Sequence, residues 1–288
     1  MIGAIDKILT SSWLQRYTHQ NTISRGFGRL ANSSYIPRFI LHKIIHAFIR
    51  HYQIDMEEYN YDISTARCFN EFFSRPLKPG RRPLQQGIVS PVDGQLTQYG
   101  DLQQGQMLQV KGKHFSLDEL IGETPQFLDG CYSVIYLSPG NYHRFHAPFN
   151  LQLEKIRYIP GTLLATSSAS LAREARVYCR NERMVLSGNS MWGPFYFVAV
   201  GATAVGHICL SGINIKTNQP FTKEKVVTNP LPESIQQGDE LGYFALGSTI
   251  VLAVGNQSMV RVPFPAYSNT QSSDNQTPRI RMGESLWR

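Results

Sequence analysis

From residue 88 onward, apolar residues come in short runs rich in β-branched and aromatic side chains, stopped by Gly, Pro, Asn or Asp. Val134–Leu137, Phe195–Val200, His207–Leu210 and Thr249–Val254 are the clearest. Runs of this length and composition fit strands; a helix needs a longer stretch with apolar residues every three or four positions. Helical pattern is scarce here, Leu117–Ile121 being one short candidate, with Ile63–Phe73 another just before it. A chain of 288 residues is ample for a real core. The expected class is α+β, a β-rich core with amphipathic N-terminal helices. The Ser/Asn/Gln-rich stretch 267–277 reads as a flexible loop. No internal repeat and no Gly-rich phosphate loop is present.

The first sixty residues have a different texture. Between Ile36 and Ile54, His42, Lys43, His46 and Arg50 fall on one stripe. Ile40, Leu41, Ile44, Ile45, Ala47 and Phe48 form a broad apolar face opposite, and Trp13, Tyr17 and Phe27 precede it. Asn32, Ser33 and Ser34 offer caps, and Pro37 suits a helix start. Residues 1–50 hold seven basic side chains and one acidic one, so most of the formal charge of +7 sits there. Such a helix can lie in an anionic membrane interface. It can equally pack on its own domain with a solvated basic stripe. The expected division is a basic, membrane-associating segment at 1–60 and a catalytic domain at 61–288. The near-neutral remainder gives no support to a nucleic-acid partner.

Other classes fall away early. No window approaches 18 uninterrupted apolar residues, which argues against a spanning helix. The first twenty residues lack the charged, apolar and small-residue parts of a secretory signal. Cys68, Cys131, Cys179 and Cys209 lie far apart without a C-x-x-C pair, so reduced thiols and no metal site are expected.

Three clusters could carry chemistry. Ser90-Pro91-Val92-Asp93-Gly94 ends on an Asp-Gly step that is, taken alone, more often a turn. Asn141-Tyr142-His143-Arg144-Phe145-His146-Ala147-Pro148 places two histidines three apart in or beside a loop. Imidazole titrates near neutrality, so either can be a general base, although a plain hydrogen-bonding role is the commoner one. Leu246-Gly247-Ser248-Thr249 opens an apolar strand, again commonplace as structure. Together, Asp93, His146 and Ser248 supply the parts of a base-activated nucleophile. Ser248 lacks the G-x-S-x-G elbow and precedes a strand, which argues against an α/β-hydrolase. Its nearest electrophile is the preceding Gly247 carbonyl, which no side chain hinders.

The sequence resembles the phosphatidylserine decarboxylases, pyruvoyl enzymes made as self-cutting proenzymes. The resemblance rests on Phe69-Asn70-Glu71-Phe72-Phe73-Ser74-Arg75-Pro76-Leu77, Ser90 to Gly94, Val110 to Leu117, Tyr142 to Pro148, Val200-Gly201-Ala202-Thr203, Leu246 to Thr249 and Arg281-Met282-Gly283-Glu284. These occur in the family's order over roughly residues 35–288. The resemblance implies that Ser248 attacks the Gly247 carbonyl, with His146 as base and Asp93 orienting and supporting it. An ester, elimination and hydrolysis would then give a chain 1–247 (the β chain) and a chain 248–288 (the α chain) bearing an N-terminal pyruvoyl group. The two would stay together as a heterodimer, which is compatible with a dimer of such pairs. The pyruvoyl group would form a Schiff base with phosphatidylserine and accept electrons as carbon dioxide leaves, giving phosphatidylethanolamine without pyridoxal phosphate or metal. His143 is the first choice for the proton donor in turnover and His146 the second. Phosphatidylserine in an anionic membrane is the expected partner, at the cytoplasmic face of the inner cell membrane. Three readings compete: another pyruvoyl-dependent amino-acid decarboxylase, a hydrolase using Ser248, His146 and Asp93, and a non-enzymatic membrane adaptor in which the histidines and the serine are structural.

Overall fold

A computed structural model describes residues 22–108, 113–166, 171–172, 174, 176–202, 207–215, 217–218, 223–228, 234–245, 248–262 and 277–288. The apolar runs after residue 88 form strands, and consecutive residues along Phe195–Val200 and Ile250–Val254 serve two different cores. In chain order the strands are β1 (Ile88–Val89), β2 (Gly94–Leu102), β3 (Gln106–Leu108), β4 (His114–Ser116), β5 (Gly130–Leu137), β6 (Arg144–His146), β7 (Leu151–Ile159) and β8 (Arg183–Ser190). They continue with β9 (Gly193–Gly201), β10 (His207–Leu210), β11 (Lys225–Val227), β12 (Glu240–Ala245), β13 (Ser248–Val254), β14 (Arg279–Ile280) and β15 (Ser285–Trp287). Among the described residues, eight of them form one sheet in the order β11-β7-β8-β9-β13-β5-β2-β14. A second sheet has the order β10-β12-β6, and β1-β15 and β3-β4 make two-stranded pairs.

The central strand is β13, hydrogen-bonded antiparallel to β5 on one side and β9 on the other. Its residues Ile250, Leu252 and Val254 enter a core shared with Phe145, Ile208, Leu241 and Phe244 of the three-stranded sheet. Val251 and Ala253, one step out of phase, enter a second core on the opposite face. That core is closed by Met107 and Phe115 of the β3-β4 hairpin and by two short helices, α4 (Leu117–Ile121) and α5 (Val177–Arg180). A strand covered on both faces reads as an unbroken apolar run rather than an alternating one, as Ile250–Val254 does. The α+β expectation, with a β-rich core, is met.

Two helices precede the sheets, α1 (Thr22–Ala31) and α2 (Arg38–Tyr52), followed by one-turn 3-10 segments and α3 (Phe69–Phe73). The expected helix at Ile63–Phe73 is thus a 3-10 turn at Ile63–Thr65 and a separate short helix. Pro37 stands at the N-cap of α2 without a side-chain cap. Ser33 Oγ instead accepts from the Tyr35 amide, so the expected serine cap is not made. The broad apolar face of α2 divides. Leu41, Ile45 and Phe48 pack with Ala66, Phe72 and Phe73 into a third core spanning both sides of residue 60. Phe39, Ile40 and Ile44 stay exposed, beside Tyr35. Trp13, Tyr17 and the rest of the first 21 residues lie outside the described residues, as do most of 267–277. No described helix is long and apolar enough to cross a membrane.

Candidate active site

Of the connections between the large and the small sheet, two flank the residues singled out by sequence. Residues 138–143 lead from β5 in the large sheet to β6 in the small one, and residues 246–247 lead from β12 in the small sheet to β13 in the large one. The register aligns them. Ser248 pairs with Leu137, the residue from which the first crossover departs. The Phe244 amide donates to the His143 carbonyl at 2.9 Å, and Tyr243 and Glu240 pair with Arg144 and His146. The two-histidine segment therefore runs beside the chain that enters Ser248. Gly247 lies outside the described residues, and Ser248 is described through its backbone. Val110–Gly112 and Thr203, two other stretches that carry the family resemblance, also lie outside.

Asp93 sits on the turn between β1 and β2, buried. Gly94 follows because a Cβ there would lie 2.5 Å from the Tyr136 carbonyl of β5. The Asp93 carboxylate is gripped by Arg82, with Nε at 2.9 Å from Oδ1 and Nη2 at 2.6 Å from Oδ2. Arg82 Nη2 also reaches Glu58 at 2.8 Å, which holds the Glu58 carboxyl below its ordinary range. The remaining contact comes from the far end of the chain, where the Met282 amide donates to Asp93 Oδ1 at 2.8 Å. The Arg281-Met282-Gly283-Glu284 stretch thus finds its role. Gly283 and Glu284 exchange backbone hydrogen bonds with Ser90, and Gly283 turns at φ +88, where its missing Cβ would meet the Pro83 carbonyl at 2.6 Å.

His146 lies next to this turn, its amide donating to the Pro91 carbonyl at 2.9 Å. Its ring, however, does not touch the Asp93 carboxylate. Nδ1 faces the Gly238 carbonyl at 2.8 Å and Nε2 faces the Tyr142 hydroxyl at 2.8 Å. The expectation that Asp93 orients the imidazole is corrected on this point, because Arg82 and Met282 occupy that carboxylate and a backbone carbonyl takes the orienting place. Asp93 still acts on His146 through space, favouring its charged form, while burial has the larger opposite effect and lowers its pKa.

His143 is fully buried. Its Nδ1 donates to the Asn141 carbonyl at 2.8 Å, the Phe73 ring lies 4.1 Å away, and Nε2 has no partner among the described residues. Burial pushes its pKa down to about 3, so the ring is neutral near neutral pH. In that tautomer Nε2 is an acceptor, and it must first take up a proton to act as a donor. The crossover is held from below by Arg75, whose guanidinium lies 4.1 Å over the Tyr59 ring and donates to the Gly140 carbonyl at 3.2 Å. Arg144 Nε reaches the Ser74 carbonyl at 2.8 Å and its Nη1 reaches Glu240 at 2.7 Å.

Sequence reasoning singled out Asp93, His143, His146 and Ser248 and missed Arg82, Gly238, Tyr142 and Met282 as their partners. Tyr142 and Met282 stood inside quoted motifs without a role. Arg82 and Gly238 stood outside every quoted motif. Among the described residues, no cluster of three His, Cys, Asp or Glu side chains could hold a metal ion.

Comparison with known proteins now adds to this geometry. Residues 69–288 match the family model described as phosphatidylserine decarboxylase. A phosphatidylserine decarboxylase proenzyme of Legionella pneumophila is 39% identical over 225 residues, covering 76% of this chain and 80% of its own. One of Pseudoalteromonas translucida is 37% identical over 252 residues, covering 81% and 85%. One of Psychrobacter arcticus is 31% identical over 280 residues, covering 95% and 96%. The motifs, their arrangement and these matches together place the chain in the phosphatidylserine decarboxylase family.

Proposed function

We propose that this chain is a phosphatidylserine decarboxylase that matures by cutting itself between Gly247 and Ser248. The observation that carries the reading is the antiparallel register of β5 and β6 against β13 and β12, which runs the His143–His146 segment beside β12 and pairs Leu137 with Ser248. The junction between β12 and β13 joins strands of different sheets. The product 248–288 then stays in place through β13, paired on both edges over seven residues, and through β14 and β15. No disulfide is needed to keep it with the product 1–247.

In maturation, His146 receives the Ser248 hydroxyl proton, which a serine needs to lose to become a competent nucleophile. Ser248 Oγ bonds the Gly247 carbonyl carbon and the Ser248 nitrogen leaves it. Elimination then releases the Gly247 carboxylate, and hydrolysis of the resulting dehydroalanine by one water releases ammonia and leaves a pyruvoyl group at position 248. Asp93 adds a fixed negative charge beside His146, held in one place by Arg82 and the Met282 amide. The site suits such a group, because the buried Nε2 of His143, without a partner among the described residues, lies on the segment that leaves β5 opposite Ser248. Once formed, the group supplies an electron sink for decarboxylation, so the reading invokes neither pyridoxal phosphate nor a metal. His143 Nε2 is suited to accept a proton from the substrate ammonium and to return one to carbon after carbon dioxide has left. Phosphatidylethanolamine is the product.

Intact-mass measurement of the purified protein tests the reading. Two chains are expected, the shorter beginning at position 248 with a blocked, carbonyl-reactive end, together with carbon dioxide release from phosphatidylserine vesicles. One unmodified chain of 32.6 kDa would overturn it and favour a hydrolase. Two chains active on a water-soluble amino acid and inert on the lipid would favour another pyruvoyl decarboxylase.

The segment 1–60 is proposed as the membrane-associating part, acting peripherally at the cytoplasmic face of the inner membrane. Phe39, Ile40 and Ile44 are exposed on α2, with Arg38 and Lys43 beside them. A Phe39→Glu/Ile44→Glu protein is expected to bind phosphatidylserine vesicles at least ten-fold more weakly in a sedimentation assay. Each apolar side chain loses about 1.5–3 kcal/mol of burial, and the new charges repel the surface. Unchanged sedimentation would remove α2 from the interface.

A further inference from the structure

The hydrogen bonds of His146 determine which nitrogen carries its proton. A backbone carbonyl can only accept, so the 2.8 Å contact to the Gly238 oxygen requires Nδ1–H. In the neutral ring Nε2 then offers a lone pair, and the 2.8 Å contact there requires Tyr142 to be the donor. Both nitrogens are engaged, and the lone pair needed by a general base faces a phenol. Tyr142 is 2% exposed, with its ring lying at 25° to the imidazole plane and 5.7 Å from it. Among the described residues, none donates to the Tyr142 oxygen, which leaves that oxygen free to accept. Tyr142 also stands on the crossover that leaves β5 at Leu137, the pairing partner of Ser248.

We infer that Tyr142 is a proton relay through which His146 acts on Ser248 during self-cleavage. The inference rests on the self-cutting reading above. The Tyr142 hydroxyl proton passes to His146 Nε2 while the phenol oxygen takes the proton of the Ser248 hydroxyl. Ser248 Oγ bonds the Gly247 carbonyl carbon, and the bond from that carbon to the Ser248 nitrogen breaks. The imidazolium then returns its proton along the same route to the departing nitrogen. Charge and protons balance, and Tyr142 ends as it began. A free tyrosinate is not required, in keeping with the burial that raises the phenol pKa.

Tyr142→Phe tests this, because it keeps the ring and removes only the hydroxyl. Freshly synthesised protein is followed by the appearance of the two chains, with a thermal melt on the same sample. The expected result is cutting slowed about 100-fold, the scale of one proton-transfer group, with little change in the melt. Placing a fluorinated tyrosine of greater acidity at 142 is a second measurement that a purely structural role would not move. There the cutting rate at fixed pH should change with phenol acidity. Tyr142→Phe cutting as fast as the parent, or faster, would overturn the relay, as would rates indifferent to fluorination. If the parent protein itself remains one chain, the self-cutting reading fails, which is a different outcome from a cut parent and an equally cut variant.

Discussion

A His146→Ala protein is expected to remain one chain of 32.6 kDa under conditions where the parent is fully cut. A positioned proton-transfer group contributes about 10²–10⁴-fold, and serine has no useful nucleophilicity without one. The substitution should cost little folding stability. His146 is half-buried, and its place in the small sheet is secured by backbone pairing with Glu240 and by its amide bond to Pro91. Loss of cutting with a near-parental melt therefore reports chemistry rather than collapse. Ser248→Ala gives the reference for complete loss. Asp93→Asn is expected to accumulate uncut chain as well, since it removes the negative charge while keeping one acceptor for the Met282 amide. Efficient cutting in both His146→Ala and Asp93→Asn would refute their assigned roles.

Arg82→Met is expected to lower stability by about 3–5 kcal/mol, or roughly 10 °C in the melting midpoint. Arg82 is 4% exposed in its side chain and Asp93 9%, so removing the guanidinium leaves a buried carboxylate without its counter-charge. The damage should reach maturation, because the same guanidinium aims Asp93. A double variant, Arg82→Met with Asp93→Leu, should recover part of the stability and none of the cutting, which separates the two effects. The acid limb adds a check. The Glu58 carboxyl is lowered in the folded state, chiefly by its hydrogen bond to Arg82. Its contribution is therefore present above the ordinary carboxylate range and is lost as pH falls through the lowered value. Arg82→Met should flatten that part of the stability profile. A melt unchanged from the parent would show that Arg82 is not the clamp described.

Much of the scaffold was legible because it depends on local periodicity. Val134–Leu137, Phe195–Val200 and Ile250–Val254 are apolar at every step, and a run that short and continuous has few options besides a strand covered on both faces. Leu117–Ile121 and the helix near Ile36–Ile54 were legible for the same reason. What α2 does with its apolar face was not. Sequence offered one broad face, while the fold buries Leu41, Ile45 and Phe48 against α3 and leaves Phe39, Ile40 and Ile44 outside. Helical spacing alone does not say which part of a wide apolar face meets a neighbour.

The candidate site divides in the same way. The residue types at 93, 143, 146 and 248 announce themselves, since a serine after an unhindered glycine carbonyl needs a base and a charge nearby. Which groups touch them is a matter of contacts between distant segments. Met282 reaches Asp93 across 189 positions, and Gly238 reaches His146 across 92. Sequence by itself determined the strand-rich class and the basic composition of the first fifty residues, and it nominated Asp93, His143, His146 and Ser248, because each depends on composition within a few positions. Tertiary structure alone decided that Arg82 holds Asp93, that a carbonyl orients His146 and that Tyr142 caps its lone pair. Hydrogen bonds between distant segments depend on how the strands register against one another, and no short window of sequence contains that register.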